Sequence, residues 1–243
     1  MQSENARRYN QVWKHAALQE PRIWPSWEIV APFRGRRCLE IGVGNYPKIP
    51  LKNGVFLDLS EVAASNLHAR GLNACVGSGG NLPLADGSFD LVVAWEVLEH
   101  IEDDKQIVTE IARVLRGGGA FLLSVPLHQD RFGPLDHAAG HKRRYEPREL
   151  TAILESNRFH IIKFRCPQLV ERLEMVPGFT SLVNRTYSCP AHTSYFGLPR
   201  PILNLVVRAG AFLLRASSGP WRTGALKGLE RETEISILCE RSN

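Results

Sequence analysis

The stretch Gly77-Ser78-Gly79-Gly80-Asn81-Leu82-Pro83-Leu84-Ala85-Asp86-Gly87-Ser88-Phe89-Asp90-Leu91-Val92-Val93-Ala94-Trp95-Glu96-Val97-Leu98-Glu99-His100 contains a short apolar run, Asp90 to Ala94, that reads as a strand. Working outward, similar β-branched or aliphatic runs lie at Arg37 to Ile41, Val55 to Leu59, Ala74 to Val76 and Gly119 to Val125. Longer amphipathic patterns fall between them at Glu61 to Ala69 and Asp104 to Leu115, and such alternation predicts a parallel sheet flanked by helices. Gly117-Gly118-Gly119, following Arg116, reads as the stop of the second helix. Glu146-Pro147 opens a helix to about Ser156, with proline in the first turn, where its missing N–H costs nothing. His160 to Phe164 is then a sixth strand and Glu234 to Cys239 a last one. The interval between these two fits no regular β/α unit, which predicts an insertion from about Cys166 to Glu232.

A chain of 243 residues has room for one large α/β domain and can bury a substantial core. Its 44% hydrophobic and 23% charged content is that of a soluble globular protein. Met1 to Arg8 is polar and lacks the apolar core of a secretory signal, and no run reaches the roughly 18 apolar residues of a membrane span, so a cytoplasmic protein is expected. Five cysteines, with Cys38, Cys75 and Cys239 inside strand-like runs, indicate neither a disulfide framework nor a zinc site. The net charge is +5, and nine Lys or Arg fall between Arg165 and Arg231 against Glu171, Glu174 and Glu230. That stretch favours an anionic partner, or is simply a solvated basic face.

Cys38-Leu39-Glu40-Ile41-Gly42-Val43-Gly44 puts an acid and two spaced glycines at the carboxyl end of the first strand, where open α/β sheets bind ligands. Glycines there let backbone turn sharply and approach a ligand closely. The second strand ends in Asp58, whose carboxylate can accept hydrogen bonds from both hydroxyls of a ribose. Capping of the helix that starts near Ser60 is the plainer alternative.

Leu82-Pro83, Asp86-Gly87-Ser88-Phe89-Asp90 and Val97-Leu98-Glu99-His100 follow in order, with Leu115-Arg116-Gly117-Gly118-Gly119 behind them. Together with the Glu-x-Gly-x-Gly turn and the strand-two acid, they make Cys38 to Pro126 resemble class I S-adenosylmethionine-dependent methyltransferases, especially the bacterial small-molecule group. Ordered motifs at compatible spacing are far more specific than a glycine turn alone. The resemblance implies a Rossmann-like α/β fold: a doubly wound, mostly parallel seven-stranded sheet with an antiparallel last strand and a helical insertion before it. It divides the chain into an N-terminal helical cap (1–36), a cofactor-binding core (37–165), an insertion or lid (166–232) and a final core strand (233–243). It also implies that Glu40, Gly42 and Gly44 line the methionine end of S-adenosylmethionine and that Asp58 and Leu59 hold the ribose. Ser78, Gly79 and Leu82 would surround the adenine, and Trp95 and Glu96 would form the pocket floor.

Two positions depart from the family pattern. Tyr46 stands where a third glycine is common, and with Pro47 and Pro50 nearby the first helix must be short or replaced by a loop. Ser78 stands where the family often has an acid before Leu-Pro. A nicotinamide site is disfavoured, because Gly-x-Gly-x-x-Gly is incomplete and no helix N-terminus is ready for a pyrophosphate.

After the fifth strand, Gly140-His141-Lys142-Arg143-Arg144-Tyr145 resembles an element that bacterial members carry before a Pro-x-Glu-Leu helix, here Pro147-Arg148-Glu149-Leu150. It emerges near the methyl group, so His141 is the first candidate for a general base and Tyr145 the second, followed by His137 and His100. A structural hydrogen bond is the competing role for His141. Arg143 and Arg144 would clamp an anionic acceptor or pair with Asp130, Asp136 or Glu146. No metal is expected, the cluster Asp130, Asp136, His137 and His141 having no strong ligand spacing. Residues 201–216 form a helix apolar over most of its circumference, expected as an internal lid, a peripheral membrane contact or a dimer face. Tyr9 and Trp13 share a helix face within Asn5 to Gln19, which packs on the domain or covers the cofactor. The expected activity is methyl transfer from S-adenosylmethionine to an oxygen or nitrogen of a small-molecule or lipid-like acceptor, with no nucleic acid as partner. A non-catalytic binding protein on the same fold is the alternative.

Overall fold

Strands buried on both faces set the architecture. β1 (Cys38–Ile41) is buried throughout and β4 (Phe89–Trp95) almost so, the mark of parallel strands covered by helices on each side. The structure, a computed structural model, describes residues 4–167, 208–209, 211–212 and 219–243. With β2 (Gly54–Asp58), β3 (Asn73–Val76), β5 (Leu115–Pro126), β6 (Phe159–Arg165) and β7 (Glu234–Arg241), the sheet has the order β3-β2-β1-β4-β5-β7-β6. β3, β2, β1, β4 and β5 pair in parallel, and β7 runs antiparallel between β5 and β6. This is the Rossmann-like sheet with a reversed last strand that the sequence predicts. The strand order turns around between β1 and β4, so the carboxyl ends of these strands open a crevice.

The helices follow local signals. α3 (Glu61–His68) starts at Ser60, whose Oγ accepts the Ala63 N–H at 3.1 Å. α4 (Asp104–Val114) is capped by Asp103 and turns Ile107, Val108, Ile111 and Val114 into the core along one stripe. α6 (Pro147–Ser156) begins at the proline, as expected. Before the sheet come α1 (Glu4–His15) and α2 (Trp27–Val30), and α5 (Pro134–Ala139) follows β5. Residues 42–53 form a loop, in keeping with Pro47 and Pro50.

The glycine triplet does not stop α4. Leu115 is already extended, and pairing with β4 jumps from Phe89↔Leu115 to Leu91↔Ala120, so residues 116–119 bulge out of the ladder. Gly118, at φ +67°, supplies the left-handed residue such a bulge needs.

Most of the expected insertion lies outside the described residues, including the helix over 201–216 apart from Arg208, Ala209, Ala211 and Phe212, which are helical. Residues 219–232 carry no helix. They return along β6, where Phe164 and Arg222 exchange backbone hydrogen bonds of 2.8 and 2.7 Å. Arg165, counted above in a basic run, is buried and paired with Glu28 at 2.7 Å, so it adds nothing to a solvated face. Among the described residues no helix is long and apolar enough to cross a membrane.

Candidate functional site

A cavity of about 830 Å³ opens at the carboxyl ends of β1, β2 and β4. The sheet supplies its floor and α1 its roof. Asn10 Oδ1 ties that roof down by accepting the Ser60 hydroxyl (2.7 Å) and the Val62 N–H (3.2 Å), while Asn45 Nδ2 donates to the Trp13 carbonyl at 2.9 Å. Tyr9 and Trp13 both line the cavity, so the shared helix face faces the crevice.

Asp58 ends β2 and lines the cavity, although only 6% exposed. Its Oδ2 accepts the Gly44 N–H and its Oδ1 the Ser60 N–H, each at 2.7 Å. Burial pushes its carboxyl up, and those N–H groups hold it down. The cap of α3 is Ser60, so Asp58 is free of that role. Gly42, Leu59, Ser78, Gly79, Trp95 and Glu96 also line the cavity.

Three residues expected at the cofactor do not line the cavity. Glu40 lies beneath the loop after β1, where Oε2 accepts the Lys48 and Ile49 N–H groups at 2.8 and 3.1 Å. It anchors the loop, and burial pushes its carboxyl up to about 7. Gly44, at φ +54°, is covered by Trp13: a Cβ there would meet the indole at 2.2 Å. Leu82 is buried and gives its N–H to Glu110 at 2.8 Å. Tyr46 does not block the crevice; its ring leans on Trp13 and Trp24, with centroids 5.1 and 5.5 Å away.

At the far end, acids and imidazoles gather. Glu96, in a left-handed conformation (φ +53°), and Glu234 both reach the Ser124 hydroxyl, at 2.5 and 2.9 Å. That hydroxyl has one proton to give, so the second contact calls for a proton on a carboxyl. Burial and the Glu96 charge push Glu234 up to about 8, and they raise Glu99 as well. His141 lines the cavity, with Nδ1 2.8 Å from Asp136, which also binds Arg144 Nε at 2.9 and 3.0 Å. Burial raises the Asp136 carboxyl, but these bonds outweigh it and leave it at about 2. His100 lines the same end, and burial lowers it to about 4.

Tyr145 is a correction. Its ring is fully buried, and its hydroxyl donates to Asp104 at 2.8 Å, so it belongs to the core. His137 is exposed beside Phe132 and does not line the cavity. Arg144 takes the pairing with Asp136, whereas Arg143 pairs with Asp104 at 3.1 Å.

The methyltransferase domain family matches residues 39–123, from β1 into β5. A protein of Mycolicibacterium smegmatis named a probable S-adenosylmethionine-dependent methyltransferase is 36% identical over 138 residues, 52% of this chain and 53% of that protein. Over its core, residues 39–123, the chain is thus similar to the S-adenosylmethionine-dependent methyltransferases. The methyltransferase fold also recurs in a Thermotoga maritima structure named a possible histamine N-methyltransferase. That structure aligns over 98% of this chain and 95% of its own, with TM-score 0.56 and 18% identity. Phosphoethanolamine N-methyltransferase 2 of Haemonchus contortus, solved with S-adenosylmethionine, aligns over 90% of this chain and 53% of its own, with TM-score 0.56 and 14% identity. The chain spans about half the length of the curated relatives it matches.

Sequence reasoning did not single out several residues of the cavity. Lys48 lines it with a buried ammonium 4.0 Å from Glu40, and Thr233 and Glu234 enter from the start of β7. Glu234 had one signal, an acid opening a strand next to the end of β5.

Proposed function

We propose that the chain binds S-adenosylmethionine in this crevice and transfers its methyl group to an oxygen or nitrogen of a small-molecule or lipid-like acceptor. The observation that carries this reading is Asp58: a buried carboxylate at the switch point of the sheet, lining a roofed cavity. It takes the two ribose hydroxyls. The Lys48 ammonium takes the methionine carboxylate, and Ser78 with Gly79 borders the adenine. A sulfonium is already a good leaving group, so orientation and exclusion of water do most of the work. His141 lines the cavity, which lets it reach an acceptor; Tyr145 does not.

Calorimetry with S-adenosylmethionine tests the reading. Micromolar-range binding is expected, weakened about 10- to 100-fold in Asp58→Ala, the loss of hydrogen bonds to a charged group. No heat at millimolar ligand would overturn it. Radiolabelled methyl transfer into cell extract then separates an enzyme from a binding protein.

A further inference from the structure

Two of the imidazoles at the acid end share an arrangement that the methyl-transfer reading does not use. His141 Nδ1 lies against the Asp136 carboxylate, and His100 Nδ1 lies 3.2 Å from the Gly140 carbonyl and 2.9 Å from the Tyr9 hydroxyl. With each Nδ1 proton given to its carbonyl or carboxylate neighbour, both Nε2 atoms present lone pairs. Those lone pairs face one carboxylate: Glu99 Oε1 is 3.7 Å from His100 Nε2 and 3.8 Å from His141 Nε2. Glu99 is fully buried, and beyond the neighbouring Glu96 carboxyl no group among the described residues hydrogen-bonds its oxygens. Three electron-pair donors therefore converge on one point.

We propose that Glu99, His100 and His141 hold a divalent transition-metal cation of zinc-like ligand preference in the wall of the cavity. The three ligand atoms lie within 4.8 Å of one another. A cation about 2.0–2.2 Å from each would draw them to roughly 3.3 Å apart, a contraction of a few tenths of an ångström from the Glu99 distances. Imidazole with carboxylate is a donor set for zinc, cobalt or iron rather than for calcium or magnesium. The Asp136–His141 and Gly140–His100 bonds orient the two rings as outer partners of metal-bound histidines do. A second cluster, His128, Asp130 and Glu146, is poorer: His128 Nε2 already binds the Leu229 carbonyl at 2.7 Å, and the two acids are exposed. Three protein ligands leave a coordination position open, and His100 and His141 line the cavity, so that position takes an oxygen of the acceptor. This last step rests on the methyltransferase reading; the cation site does not. It gives His141 a coordinating role in place of a proton-accepting one.

Full-length protein stripped with a chelator is titrated with cobalt(II), followed by calorimetry and by the visible d–d bands of the bound ion. One equivalent is expected, with bands of a four- or five-coordinate site. Glu99→Gln and His141→Ala should weaken binding roughly 100-fold or more, Asp136→Asn about 10- to 100-fold, and His128→Ala should leave it unchanged. The proposal is overturned if the stripped wild type shows no saturable binding. It is equally overturned if Glu99→Gln and His141→Ala, with circular dichroism unchanged, bind as tightly as wild type, or if His128→Ala alone abolishes the bands. S-adenosylmethionine is titrated into the same samples: binding of that ligand without cobalt sinks the cation site only, and cobalt without that ligand sinks the cofactor reading only.

Discussion

Glu40 shows how a single buried charge is put to use outside the cavity lining. Its position before Gly-x-Gly reads as a cofactor contact; in the fold the side chain clamps the Lys48 and Ile49 N–H groups and does not line the cavity. Sequence names the acid but not the side of the turn it occupies, because that depends on the path of a proline-rich loop. Its carboxyl sits at about 7 in the folded chain, above the 4.5 of an ordinary glutamate. Between those values the folded state keeps a proton that the unfolded chain has released, so stability falls as pH rises through that window. The full cost above pH 7 is on the order of 3 kcal/mol. Glu40→Gln keeps an acceptor for the loop and removes the titration. Urea unfolding at pH 5 and pH 8 should therefore show a smaller loss for the variant than for wild type; equal losses would refute the assignment. Asp58 was readable for the opposite reason: an acid ending the second strand has one place to go once the sheet is parallel.

Elements were predicted well where one stripe of residues meets one core. α4 is such a case, its apolar positions spaced for a helix and buried together. Ile111→Ala should cost about 2–5 kcal/mol through the cavity it leaves. In a denaturant titration this appears as a lower midpoint with unchanged slope, and a loss under about 1 kcal/mol would mean that α4 packs loosely. The glycines after α4 were misread because a helix stop and a strand bulge demand the same left-handed residue; only the register against β4 distinguishes them. α1 was readable as an aromatic-faced helix, but whether Tyr9 and Trp13 face the domain or the crevice depends on where the helix docks.

For the molecule as a whole, α1 is the outer boundary of the cavity, joined to the rest of the fold by contacts that include Asn10 to Ser60 and Asn45 to Trp13. If S-adenosylmethionine binds beneath it, ligand should slow amide exchange in residues 4–15 far more than in α6, which lies outside the site. Equal protection of both helices, measured by hydrogen-exchange mass spectrometry, would place the ligand elsewhere. Sequence by itself determined the kind and order of the elements, the parallel sheet and the methyltransferase resemblance of its core, because those rest on short-range periodicity and on motifs a few residues long. Only the tertiary structure decided which distant side chains meet: Lys48 at the crevice, Glu234 with Glu96 across Ser124, and His141 with Glu99 and His100. Such meetings depend on strand register and on side-chain direction across separate elements, and no local pattern encodes either.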